Sequence, residues 1–85
     1  MMSVLENKIV IFVNERSFTT RNLLKWGFYE LVKANVITND EFHQLNYAID
    51  DYTFYMISKE QLFFVLQRTL GDKGLINITE IRKNY

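Results

Sequence analysis

The chain has 85 residues, enough for one domain spanning residues 1–85 with a modest core, and no cysteine, which excludes disulfides and thiolate zinc sites. Ten basic residues balance ten acidic ones. They are interspersed along the chain, so no broad attraction to nucleic acid or anionic membrane is indicated. The absence of cysteine fits a reducing cytoplasm.

The apolar run Ile9 to Val13 is bounded by Glu6, Asn7 and Lys8 on one side and Asn14, Glu15 and Arg16 on the other. It is too short for a signal-peptide core or a membrane span. Residues 1–7 read as a loose lead-in. Branched residues at consecutive positions then predict a strand, Lys8 to Val13, buried on both faces.

Asn14 to Ser17 reads as a turn, and a Thr19 cap with Phe18 and Leu23 as its staple opens a helix running to about Asn35. Placed at 100° intervals, Leu23, Leu24, Gly27, Phe28, Leu31, Val32 and Ala34 form its core face. Asn22, Trp26, Tyr29 and Lys33 lie opposite.

The stretch Ile37 to Ser58 carries the clearest signals. Thr38 and Glu41 form a capping box with Ile37 and Phe42 as its staple, and Ser58 and Gln61 form a second with Ile57 and Leu62. Between them Phe42, Leu45, Ile49, Tyr52 and Met56 recur at helical spacing. His43, Tyr47, Asp50 and Phe54 occupy the other side. Tyr52 to Ile57 is also rich in strand formers, and a strand there is the competing reading.

A third helix, Lys59 to about Leu70, is expected to bury Leu62, Phe63, Val65, Leu66 and Leu70 and to leave Phe64 outside. Gly71 suits the left-handed residue past its end, and Gly74 the turn that follows. Leu75, Ile76, Ile78 and Ile81 predict a final strand, and Arg82 to Tyr85 a polar tail. No proline, linker, low-complexity segment or internal repeat is evident. The assembly these elements predict is α+β, with three helices packed on a small sheet formed by the N- and C-terminal strands.

Catalysis finds little to use. Ser17 and Ser58 sit where caps and turns want them, no serine lies in a nucleophile elbow, and the only histidine, His43, has no nucleophile beside it. Asp40, His43 and Asp50 share one helix side, but two turns separate the last two by about 10 Å, too far to close on one ion. No phosphate-binding loop is present. The reading is therefore of a non-enzyme without metal or cofactor.

A small winged-helix or helix-turn-helix-like DNA-binding regulator is the alternative, since the turn Asn35-Val36-Ile37 joins two helices at suitable spacing and a separate edge with Arg16, Arg21, Lys25, Arg82 and Lys83 could touch nucleic acid. From Thr38 to Ser58 there is no Lys or Arg, and Asp40, Glu41, Asp50 and Asp51 would face phosphates with the wrong sign. What stands out is the aromatic content, seven Phe, five Tyr and one Trp. Trp26, Tyr29, Tyr47, Phe54 and Phe64 fall off the core faces, where aromatics mark interfaces. With Lys33 they are the candidate interface of a small protein-binding regulator or inhibitor that self-associates.

Residues Lys33 to Phe42, with Ile37-Thr38 followed by Glu41-Phe42, resemble the Gly-x-Ile-Thr-x-x-Glu-Phe turn of short bacterial helical oligomerisation modules. The glycine of that pattern is replaced by Asn35-Val36, and a capping box alone produces most of the similarity, so no function is carried across. The composition, rich in Asn, Tyr, Phe and Ile, is similar to that of small proteins of phages and mobile elements of low-GC bacteria.

Overall fold

The computed structural model describes residues 1–85 and is entirely helical: α1 (Val4–Glu15), α2 (Phe18–Lys33), α3 (Asn39–Thr53), α4 (Lys59–Leu66), a π turn (Gln67–Gly71) and α5 (Ile78–Arg82). No sheet exists, which overturns the α+β expectation.

Both expected terminal strands are helix or turn. Ser3 caps α1 in a full capping box, its Oγ accepting from the Glu6 amide at 3.1 Å while the Ser3 amide donates to Glu6 Oε1 at 2.7 Å. With the helix started there, Ile9, Phe12 and Val13 fall inward, whereas Ile11 is exposed. The apolar run is thus broken by one outward position, as a helix requires and a doubly buried strand does not. At the other end Leu75 and Ile76 belong to a turn, Asn77 caps α5 by accepting from the Glu80 amide, and Ile81 is buried one turn on. Tyr52 and Thr53 end α3, and Phe54 to Ile57 form its turn, so the competing strand at Tyr52 to Ile57 is also absent.

Several local expectations shift. Ser17, not Thr19, caps α2, accepting from the Thr20 amide. Phe18 and Leu23 are both exposed and form no staple, and Ala34 is exposed too; of the expected face Leu24 and Phe28 are buried, with Thr20, and Leu31 and Val32 pack half-buried against the core. Met56 lies beyond the end of α3 and is exposed. Gly71 closes the π turn; the left-handed glycine is Gly74, with φ 76°. The capping boxes at Thr38 and Ser58 are present as expected.

These starts and stops follow one rule used three times. Asn35, Tyr55 and Gly74 each take positive φ (58°, 63° and 76°). In each case the next residue, Val36, Met56 or Leu75, donates its amide to a carbonyl five residues back, on Leu31, Asp51 or Leu70. This is the 6→1 bond that satisfies a helix's orphan carbonyls. An isoleucine follows, Ile37, Ile57 or Ile76, then a cap, Thr38, Ser58 or Asn77, accepting from the amide three residues on. The chain therefore does contain an internal repeat, of left-handed residue, apolar residue, isoleucine and cap, which the absence of long identical stretches conceals.

Helices α1, α2, α3 and α4 pack successively on one another, and α5 returns to α1. Their inner faces, with Ile37, Leu70 and Ile76 from the segments between them, supply one cluster of 17 buried residues, among them Ile9, Phe12, Leu24, Phe28, Leu45, Ile49, Phe63, Leu66 and Ile81. The two chain ends are joined by Glu6. Only 8 % exposed, it presents Oε1 to the Ser3 amide and Oε2 to the Asn77 amide at 2.6 Å. One carboxylate thus neutralises orphan donors at the start of α1 and of α5. The Ser3 amide is the leading cause that holds its carboxyl below the usual range, with the Asn77 amide adding to it. No helix is long and apolar enough to cross a membrane.

Candidate interface on helices two and three

Helix α2 turns Leu24 and Phe28 to the core, which by 100° geometry throws Trp26, Asn22 and Lys33 to the far side and leaves Tyr29 tilted towards α3. Helix α3 runs antiparallel beside it. Lys25 Nζ stands 2.7 Å from Asp50 Oδ1, and the Arg21 guanidinium reaches the same oxygen at 3.5 Å. At the other end Tyr29 meets Phe42, ring centroids 6.3 Å apart, and near the start of α2 Phe18 meets Phe54 at 5.7 Å. These contacts fix the register of the two helices.

Between them lies an open groove of about 470 Å³ lined by Asn22, Lys25, Trp26, Tyr29, Phe42 and Asn46. Its walls are rings in mutual contact: Trp26 sits edge-on to Tyr29 at 5.9 Å, Tyr29 against Phe42, and Phe42 against His43 at 5.8 Å. Lys33 Nζ lies 5.6 Å from the Tyr29 centroid. No carboxylate lines the groove, and Asn46 Oδ1, shielded from water, has no donor.

The six residues expected from sequence divide into three sets. Trp26, Tyr29 and Lys33 come together on α2, with Trp26 65 % exposed. Tyr47, 69 % exposed, and Phe54 stand on the outer side of α3, Tyr47 in no ring contact and Phe54 paired with Phe18. Phe64 belongs elsewhere: it lies on α4 under the Arg68 guanidinium, which in turn donates to Gln44 on the α4 side of α3. Sequence reasoning missed Phe42 and Phe18, because each had been assigned to a hydrophobic staple. Lys25, which the sequence places only on a basic edge, also lines the groove, one turn before Tyr29.

A second concavity, about 550 Å³, is lined by Ser3, Glu6, Gln67, Gly71, Asn77 and Thr79 among others. Its one carboxylate is engaged by the chain's own amides at both oxygens. It is a seam between the chain ends. No three His, Cys, Asp or Glu side chains are grouped to hold a metal ion, and His43 is exposed with Phe42 as its neighbour.

Comparison of the chain with protein-family models, curated proteins and solved structures found no match.

Proposed function

We propose that the protein is a non-enzymatic binding module that acts as a regulator or inhibitor by occupying a surface of another protein, and that it self-associates through the same kind of contact. The observation that carries this reading is the α2–α3 groove: rings in contact with one another yet open to water, with Lys25 in the lining, Lys33 over the Tyr29 ring and no carboxylate in the lining. Clustered exposed aromatics supply contact area at low entropic cost and dominate interface energetics. The lack of cysteine supports a cytoplasmic setting. The DNA-binding alternative has no comparable support, since α3 presents Asp40, Asp50 and Asp51 without a single Lys or Arg.

The test is Trp26→Ala. Because the indole is mostly exposed in the monomer, the substitution should leave thermal stability near wild type while weakening association by about 2 kcal/mol or more if Trp26 is a hot spot. Full-strength association together with a large loss of melting temperature would refute the reading. Retardation of labelled duplex at low salt, lost as salt rises, would support the DNA alternative instead.

A further inference from the structure

Resting on the reading of the α2–α3 face as an interface, we infer that its occupant is a second copy of this chain, bound about a two-fold axis parallel to the two helices, so that α2 of each copy faces α3 of the other. Charge selects this pairing. On the α2 side Arg21 and Lys25 share the single carboxylate of Asp50, Lys33 pairs with no carboxylate, and the one exposed acid, Glu30, is unpaired, so three cations against two carboxylates leave the strip net basic. On the α3 side Asp40 and Asp51 are exposed and pair with no cation, and they flank Tyr47 on the same helix. A basic aromatic strip thus lies beside an acidic aromatic strip. Stacking α2 on α2 would run the two helices antiparallel and set basic strip on basic strip, the Lys33 end of each over the Arg21 end of the other, whereas a two-fold axis along the helices exchanges the strips and makes both contacts attractive.

Such an axis also preserves the register within the chain. Arg21 beside Asp50, Tyr29 beside Phe42 and Phe18 beside Phe54 set the heights of α2 residues against α3 residues. The same heights across the axis set Lys33 against Asp40 of the second copy, Trp26 against its Tyr47 and Asn22 against its Asp51. The area suffices. Phe18, Trp26, Tyr29, Tyr47 and Phe54 are 42 to 69 % exposed. At about 150 to 250 Å² for a whole aromatic side chain they offer roughly 600 Å². With the flanking Asn22 and Lys33 stems this approaches the roughly 800 Å² per partner of a stable interface.

The experiment is sedimentation velocity on wild type, Lys33→Asp, Asp40→Lys and an equimolar mixture of the two variants, with circular dichroism melts confirming that each variant folds. Wild type should dimerise, and each variant alone should dissociate at least about tenfold more readily, because two like-charge contacts replace two attractive ones. The mixture should recover dimer, since both of its cross-copy pairs are opposite in sign, and molar salt should narrow the differences. Should either variant fail to fold, Tyr47→Ala, which removes the ring set against Trp26, should weaken the dimer, and a dimer of wild-type strength would overturn the arrangement. A monomeric wild type, variants that dimerise like wild type, or a mixture that stays monomeric would overturn the two-fold arrangement. Binding of a foreign protein lost in Trp26→Ala, alongside a monomeric wild type, would overturn this inference while leaving the interface reading intact.

Discussion

Glu6→Gln tests how the two chain ends are held. The Glu6 carboxylate accepts from the Ser3 amide at 2.7 Å and the Asn77 amide at 2.6 Å and is 8 % exposed. A glutamine keeps the shape but offers one oxygen where two are needed, and its amide nitrogen would confront an N–H donor. One charge-assisted bond is lost, the other is weakened to a neutral one, and a buried amide is left unpaired, a cost of about 3 kcal/mol. At roughly 4 to 8 °C per kcal/mol for a domain of this size, the melting temperature at pH 7 should fall by about 12 to 24 °C.

The pH dependence follows from the sign of the shift. The folded carboxyl is held below its ordinary value, so its contribution is complete above the unfolded pKa of about 4.3 and is lost as pH falls through the lower folded value. Glu41, whose carboxylate accepts from the Thr38 amide and faces Lys73, acts in the same direction, so wild type should lose stability on acidification. The gap between wild type and Glu6→Gln should be widest at neutral pH and shrink below about pH 4. Thermal melts by circular dichroism from pH 7 to 3 read both effects. A variant melting within about 3 °C of wild type at pH 7, or a gap that does not close in acid, would refute the reasoning.

Leu24→Ala should cost about 2 to 5 kcal/mol in denaturant unfolding, since Leu24 is fully buried on the inner face of α2. Ser58→Ala removes the side chain that accepts from the Gln61 amide and should cost about 1 kcal/mol by the same assay, without changing association. Trp26→Ala should reverse that pattern, with association weakened and the melting temperature retained. Lys33→Asp and Asp40→Lys should each favour monomer and restore dimer on mixing.

The middle of the chain was legible because its signals are local. Thr38 with Glu41 and Ser58 with Gln61 mark helix starts that the structure shows, and Leu45, Ile49 and Tyr52 are buried at the spacing read from sequence. The ends were misread where one signal outweighed another. Five apolar residues from Ile9 to Val13 fit a buried strand or a helix equally by content, and the deciding feature, a Ser-x-x-Glu box at Ser3 and Glu6, lies upstream of the run. At the C-terminus the Asn77 cap and Glu80 carried the same information. The bond from Glu6 to Asn77 spans most of the chain, and no local pattern announces it. Of the candidate interface, exposure of Trp26, Tyr29, Tyr47 and Phe54 followed from helical phase alone. The groove needed the pairing of α2 with α3, which brings Phe42 and Asn46 opposite Lys25, Trp26 and Tyr29.

The most direct measurement is solution mass by light scattering over a wide concentration series, with Trp26 emission recorded on the same samples. A mass rising to twice 10.2 kDa is expected, with emission moving to shorter wavelength as the indole leaves water. A mass fixed at 10.2 kDa with water-exposed emission throughout would contradict the α2–α3 face as a surface for a second copy.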